Sequence, residues 1–412
     1  MANSPQDRSR SFSSTAKGLH RNVCEAVINC LQEIFENGRY ADKVIEKTLK
    51  SNPKWGSRDR KFIAESVYEI VRWYRLLEFT SKASPNDYWS IFGTWLLSDG
   101  IELPKWEEFN TLNTNELKEN YQIAQATRKI KESIPDWLDE LGEKELGNNW
   151  NNQLIALNDT ASVVLRTNTL KIDTKKLQKL LLIHGIETTT LNAIPEALIL
   201  KKRQNIFSLP EFQNGFFEVQ DAGSQLIAPF LNIDAGMRVI DACAGAGGKS
   251  LHLAALMQNT GRLISMDVED WKLKELQKRA KRAGVSIIET KLIDSSKTIK
   301  RLEATADRLL LDVPCSGLGV LKRNPDAKWK LSLQAIAEVK AKQEEILNTY
   351  ANMLKSNGLM VYATCSILPS ENNEQVEKFI KTKAGEYTLL KENQIWPAEG
   401  FDGFYMALIK RN

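Results

Sequence analysis

The stretch Val239 to Ser250, VIDACAGAGGKS, constrains this chain more than any other. A short apolar run ends in Asp241, a Gly-rich turn from Gly245 to Gly248 follows, and LHLAALM continues with helical spacing. Strand, Gly-rich turn and helix in that order build a nucleotide-binding corner at the carboxyl end of a parallel strand. Glycine lets the backbone pass close to a ligand where a Cβ would intrude. AGAGG matches GxGxxG only loosely, so an ordinary Gly-rich loop is the competing reading until the rest of the chain is considered.

The segments that follow repeat the pattern. RLISMD ends in Asp267, about 20 residues after the turn, the spacing at which an acid meets ribose hydroxyls. KLID ends in Asp294, DRLLLDVPCSG runs into Asp312 and Cys315, and GLMVYATCS ends at Cys365. Strands alternating with helices predict a doubly wound α/β sheet with its ligands at the carboxyl edge. All the candidate functional residues fall on that edge.

At 412 residues the chain exceeds one ordinary domain. Its net charge of +4 is only a weak pointer to nucleic acid. The five cysteines (Cys24, Cys30, Cys243, Cys315, Cys365) are odd in number and form no CxxC, so a reducing cytoplasm is expected and a disulfide framework is not. Three unclustered histidines suggest no metal site. No apolar run is long enough for a membrane span, and no membrane association is expected. The polar, Ser- and Arg-rich N-terminus reads as a disordered lead-in or a transit peptide.

From about Gly18 to Gly142 the spacing predicts helices. Val23, Val27, Cys30, Leu31 and Ile34 share one face, with Cys24 and Cys30 as packing residues. A second amphipathic helix begins near Ser57, its expected N-cap, with Phe62, Val67, Ile70, Val71, Tyr74 and Leu77 facing the core. Its basic residues, Arg58, Arg60, Lys61, Arg72 and Arg75, fit either RNA contact or a solvated face. Trp89, Trp95 and Trp106 are expected between helices. A strand–helix–strand–strand unit follows, with Arg166, Asn168 and Lys171 on a basic face suited to phosphate. Asp221 or Ser224 should cap the next helix. After Asp267, a helix carrying Lys272, Lys274, Lys278, Arg279, Lys281 and Arg282 is either solvated or a phosphate track. These breaks predict domains at 1–145, 146–218 and 219–412.

Cys315 and Cys365 end two strands of one sheet. Two thiols at a ligand edge suit a reaction in which one adds to an electron-poor ring carbon and the other removes a proton. Methylation of cytosine at C5 has that requirement. DACAGAGGKS, DVPCSGLGVLKRNPDAKWK and ATCSILPSENNEQVEKF resemble the RsmB/Nop/Sun family of S-adenosylmethionine-dependent RNA cytosine-5 methyltransferases. VLRTNTLK, FFEVQDAGSQLIAPF and FDGFYMALIKR match it too, so the likeness covers about Trp137 to Lys410. The helical N-terminal part resembles the NusB-like domain of some members. The implied fold is a Rossmann-like class I methyltransferase sheet, preceded by a small α/β RNA-binding unit and an all-α domain.

The resemblance implies Cys365 as nucleophile and Cys315 for proton removal and enzyme release. It places Asp312 at the cytosine and near the methyl group, with Lys249 in the same pocket. S-adenosyl-L-methionine would lie on the backbone of Cys243, Ala244, Gly245, Ala246, Gly247 and Gly248, with Asp267 at its ribose and Asp294 at its adenine. Arg166, Asn168, Lys272, Lys278 and Arg279 are the expected RNA contacts. Members commonly carry Ala-Pro where this chain has Gly245-Ala246, which loosens the loop without removing its donors. Since the sequence ends soon after FDGFYMALIKR, no further RNA-binding domain is expected there. Small-subunit rRNA is the expected substrate, transfer RNA the alternative, and a monomer the expected state. A DNA cytosine-5 methyltransferase is disfavoured by Cys365, and a non-catalytic rRNA-binding assembly factor by the intact catalytic positions.

Overall fold

The computed structural model describes residues 18–412, in two compact units. One runs to Asp159 and takes in Leu321–Ser332; the other holds Thr160–Val320 and Leu333–Asn412. The polar lead-in before Gly18 lies outside the described residues.

The first unit is helical. Val23, Cys24, Val27, Cys30, Leu31 and Ile34 of the helix Arg21–Phe35 are all buried, as their spacing predicts. Ser57 is the first helical residue and not the cap: Gly56 stands there, its N–H donating to Asp59. The single helix expected after Ser57 breaks at Trp73 into Ser57–Arg72 and Tyr74–Ser81. A new helix start leaves orphan N–H groups, and Ser133 Oγ accepts that of Arg75 at 3.0 Å. Periodicity cannot reveal a partner 58 residues away.

Three of the basic residues considered for RNA serve this fold instead. Arg60 donates to the carbonyls of Leu49, Asn52 and Trp55, Arg72 to Lys322 O, and Arg75 to Ile134 O. The unit also extends beyond the boundary expected at residue 145. Trp150, starting the helix Trp150–Leu157, lies so close on Gly142 that a Cβ there would come within 2.3 Å of its ring, and its indole donates to Asp139.

Residues 321–332 are part of the helical core, which nothing in the sequence foretold. Lys328 is fully buried, donating to Arg72 O at 2.7 Å and Asn158 Oδ1 at 3.3 Å. Burial, and then Arg72, push its ammonium well below the usual lysine range. Trp329 donates to Val71 O and packs on Phe35 and Tyr74, while Asp326 accepts the N–H of Ala41 at the start of another helix.

The second unit opens with a four-stranded antiparallel sheet ordered β2-β3-β1-β4. Its strands are β1 (Val164–Thr167), β2 (Thr188–Leu191), β3 (Ile194–Leu200) and β4 (Phe217–Val219). β2, TTTL, went unread because a polar, part-exposed edge strand shows no apolar alternation. Asp221 caps the next helix through the N–H of Gly223.

The main sheet has seven strands: β5 (Arg238–Asp241), β6 (Arg262–Asp267), β7 (Ile288–Leu292), β8 (Ala306–Asp312), β9 (Leu354–Thr364), β10 (Tyr387–Ile395) and β11 (Phe404–Arg411). Their order is β10-β11-β9-β8-β5-β6-β7. β5 to β9 pair in parallel as expected, whereas β11 pairs antiparallel with both β9 and β10. This Rossmann-like sheet is therefore mixed. FYMALI of β11 is buried throughout because the strand lies inside the sheet, not at its edge.

Candidate active site

Pairing of β8 with β9 puts Asp312 opposite Ala363, so Cys315 and Cys365 leave the same sheet edge a few residues later. Their sulfurs are 3.2 Å apart although 50 residues separate them in sequence. The N–H of Cys365 points at Cys315 Sγ at 3.3 Å. The hydrogen bond to Cys365, followed by burial, pushes the Cys315 thiol well above the usual range. Gly319 holds the two loops together: its N–H donates to Cys365 O, and Gly403 N–H donates to Gly319 O. A Cβ at Gly319 would stand 2.2 Å from Gly403 O, so only glycine fits.

Lys249, at the start of the helix Gly248–Leu256, reaches across from β5 to Asp312, Nζ to Oδ2 at 2.5 Å. Burial alone would lower its ammonium, but Asp312 more than compensates and raises it. Lys249 is therefore a fixed cation, with the ring of Phe404 also within 5.7 Å. Deeper in the sheet, Ser265 donates to Ser250 and Ser250 to the buried Asp241. Burial raises the Asp241 carboxyl to about 7.

The turn after β5 keeps the conformation its glycines predict. Gly245 and Gly247 have φ of +54° and +87°, a region costly for a residue with a Cβ. Gly245 N–H donates to Asp267 Oδ2 at 2.9 Å, Ala244 N–H to Met266 O, and Gly247 N–H to Ala244 O. Ala246 O and Gly248 O accept from Arg279 and Arg166. Half-buried Cys243 begins this loop, and Asp294, two residues beyond β7, is exposed and accepts from Thr298.

Nothing stands over Gly245 or Gly248, where a Cβ would meet open space. That cradle, Asp267 at one end of it, and exposed Val268 and Leu292 at the neighbouring strand ends fit S-adenosylmethionine. Backbone would carry the methionine part, a carboxylate the ribose, and apolar side chains the adenine.

The residues expected to touch RNA divide. Arg166 is buried, binding Gln220 and Gly248 O, and burial lowers its guanidinium to about 10. Asn168 is buried between Gly215 O and Ala283 O. Arg279 joins Ala246 O to the buried carboxylate of Glu218, and Arg282 takes the other oxygen of Glu218. These three expected RNA contacts, Arg166, Asn168 and Arg279, instead tie the small sheet to the Gly-rich turn and the helix Asp270–Ala283. Carbonyls and a carboxylate hold these side chains in place, and sequence spacing shows neither. Lys278 is exposed and pairs with Glu275, and Lys272 is half-buried, pairing with Glu269 and lying over the ring of Trp271.

Two features were missed in sequence. Glu371 is fully buried and bonded to the residues following both cysteines. The run SENNE was visible, but a buried acid is not the default for glutamate. Val268 went unnoticed because an exposed apolar residue carries no periodic signal. Among the described residues no cluster of three or more His, Cys, Asp or Glu side chains could hold a metal, and no helix is long and apolar enough to cross a membrane.

Comparison with known proteins converges on one group. The sequence profile described as "16S rRNA methyltransferase RsmB/F" matches residues 228–410, and the one described as "Methyltr_RsmF/B-like, ferredoxin-like domain" matches 134–207. A probable ribosomal RNA small subunit methyltransferase B from Synechocystis is 31% identical over 410 residues, covering 90% of each chain. The ribosomal RNA small subunit methyltransferase B of Pasteurella multocida is 34% identical over 293 residues, 67% of this chain and 65% of that one. The crystal structure of PH0851 superimposes with a TM-score of 0.81, covering 96% of this chain and all of that one, at 22% identity. At such identity the likeness speaks to the fold.

Proposed function

We propose, from the premise that this chain belongs to the RsmB/F family of S-adenosylmethionine-dependent RNA methyltransferases, that it methylates C5 of a cytosine in small-subunit rRNA. The observation that carries this reading is the pair of thiols 3.2 Å apart at the ends of adjacent parallel strands. The relatives' names support the substrate. A cytoplasmic monomer acting on RNA, without a membrane, is the setting proposed.

When bound, S-adenosylmethionine supplies an electrophilic methyl group. The chain's residues do the rest. Cys365 adds to C6 of the cytosine as the thiolate, its thiol proton having gone to solvent, and the ring electrons this displaces make C5 nucleophilic. Asp312 hydrogen-bonds the ring while Lys249 fixes the Asp312 carboxylate. After C5 is methylated, Cys315 takes its proton, the C5–C6 double bond re-forms, and the Cys365–C6 bond breaks. Contact with Cys365 comes first, and burial second, in raising the Cys315 thiol. Bonding of Cys365 to C6 removes that contact, so Cys315 can release its proton to solvent and then accept the one from C5; Cys365 leaves as the thiolate, and one proton is released per methyl transferred.

The test is bisulfite sequencing of total RNA from cells with and without the gene. Loss of one small-subunit rRNA 5-methylcytosine is expected. Loss confined to transfer RNA would move the same chemistry to that substrate, and no loss with intact RNA binding would favour an assembly factor.

Asp267→Ala should weaken S-adenosylmethionine binding by about 1–3 kcal/mol, the scale of missing charge-assisted hydrogen bonds. Titration calorimetry on the folded variant measures this, and an unchanged Kd refutes the ribose role.

The outward basic face of the helix Asp270–Ala283 supplies a second expectation. Reversing Lys278 and Lys281, both exposed, should reduce the slope of log affinity against log salt by about 0.7 for each single-strand phosphate no longer neutralised. Arg279 is left alone, since it holds Ala246 O. An unaltered slope makes that face merely solvated.

A further inference from the structure

Glu371 is a fully buried carboxylate to which the mechanism above gives no part. It ends the single 3-10 turn Pro369–Glu371 that follows β9. Its Oε1 accepts from Ser316 Oγ at 2.5 Å and Ser366 Oγ at 2.6 Å. Its Oε2 accepts from Ser316 N–H at 2.8 Å and Gln343 Nε2 at 2.9 Å. Ser316 and Ser366 are the residues immediately after Cys315 and Cys365, and their hydroxyls stand 3.3 Å apart. Gln343 also donates to Pro314 O, on the other side of Cys315. The main-chain carbonyl of Glu371 accepts from Tyr362 of β9. Next to it, Asn372 binds Thr364 and Ser366 O, the two flanks of Cys365.

One carboxylate thus fastens both cysteine loops. We propose that Glu371 is a positioning residue that sets the distance between the two thiols. It acts through Ser316 and Ser366 and touches no reacting atom. The need is for a carboxylate in particular. Four donors converge on its two oxygens; the backbone N–H can only donate, and Gln343 would have to give up its bond to Pro314 O to flip its amide. A glutamine that keeps its oxygen toward Ser316 N–H and Gln343 turns its NH2 onto the two serine hydroxyls, which already accept the N–H groups of Leu318 and Leu368, so the hydroxyl protons lose their buried acceptor. This inference rests on reading Cys365 and Cys315 as the reacting pair.

The experiment compares wild type with Glu371→Gln in two assays. In the first, the reduced protein without RNA is treated with diamide. Cys315 and Cys365 lose two protons and two electrons to the reagent as their sulfur–sulfur bond forms, and mass spectrometry follows the product. In the second, kcat and KM for methyl transfer are measured. Disulfide formation should slow at least about tenfold, and kcat should fall roughly 10²-fold, as for a displacement of about 1 Å. Both KM values should stay within about twofold, because neither substrate site is touched.

If Glu371→Gln fails to unfold cooperatively or to bind S-adenosylmethionine, the double variant Ser316→Ala/Ser366→Ala replaces it, with the same split expected. A folded variant whose thiols oxidise at the wild-type rate and whose kcat is unchanged overturns the proposal. So does a KM effect as large as the kcat effect. The oxidation assay needs no methyl transfer. If wild type oxidises fast, the variant slowly, and neither methylates cytosine, the clamp stands and the functional reading falls.

Discussion

Cys365→Ser will abolish methyl transfer, by on the order of 10⁴-fold or more as for other removed nucleophiles, and will form no covalent species with RNA. Cys315→Ala will lose turnover to a similar extent but accumulate protein–RNA adduct that survives denaturing electrophoresis. A serine hydroxyl is scarcely ionised near neutral pH, so it cannot replace the sulfur in attack on C6. In Cys315→Ala, attack and methylation proceed, but the proton on C5 has no acceptor and the Cys365–C6 bond cannot break. The double variant should show no adduct. The geometry makes both thiols candidates, since their sulfurs are 3.2 Å apart at one sheet edge; the proposed reading makes Cys365 the attacker. An adduct in Cys365→Ala and none in Cys315→Ala would reverse the roles.

Breaking the Lys249–Asp312 pair has the next largest expected effect. Both side chains are mostly buried, with exposures of 14% and 26%. Removing one partner therefore leaves a poorly hydrated charge. Lys249→Met frees the Asp312 carboxylate from its fixed position, and Asp312→Asn removes the charge that holds Lys249. Each should lower kcat by roughly 10²–10³-fold, the scale of removing one preorganised electrostatic interaction. The double variant should be no worse than either single one, because the two residues act as a unit. Introduced into Cys315→Ala, each change should slow appearance of the trapped adduct in single-turnover experiments. Normal adduct formation together with the low kcat would place the pair at a later step than attack.

Much of the catalytic edge was legible beforehand. Strand ends at Asp241, Asp267 and Asp312 follow from apolar runs that stop at an acid, and β6 spans Arg262–Asp267 as read. The Gly-rich turn could be located because positive φ at Gly245 and Gly247 is a local backbone requirement. Cys24 and Cys30 could be assigned to packing because helical spacing alone places them inward. That Cys315 and Cys365 share an edge follows from both ending core strands of one sheet.

Tertiary structure decided what depends on distant partners. Arg166 and Arg279 look like phosphate ligands in sequence, yet carbonyls of the Gly-rich turn and Glu218 take their donors. FYMALI is an apolar run near the end of the sequence, and its antiparallel pairing with β9 and β10 is what places it inside the sheet. Residues 321–332, following the Cys315 loop in sequence, enter the helical core through Lys328 and Trp329, whose partners lie more than 150 residues away. Glu371 becomes a clamp only because β8 and β9 are neighbours. A sequence states which groups a chain owns and how they repeat along it. Which donor meets which acceptor is settled by chain segments that meet only after folding, and there the cost of a buried unpaired polar group selects the partner.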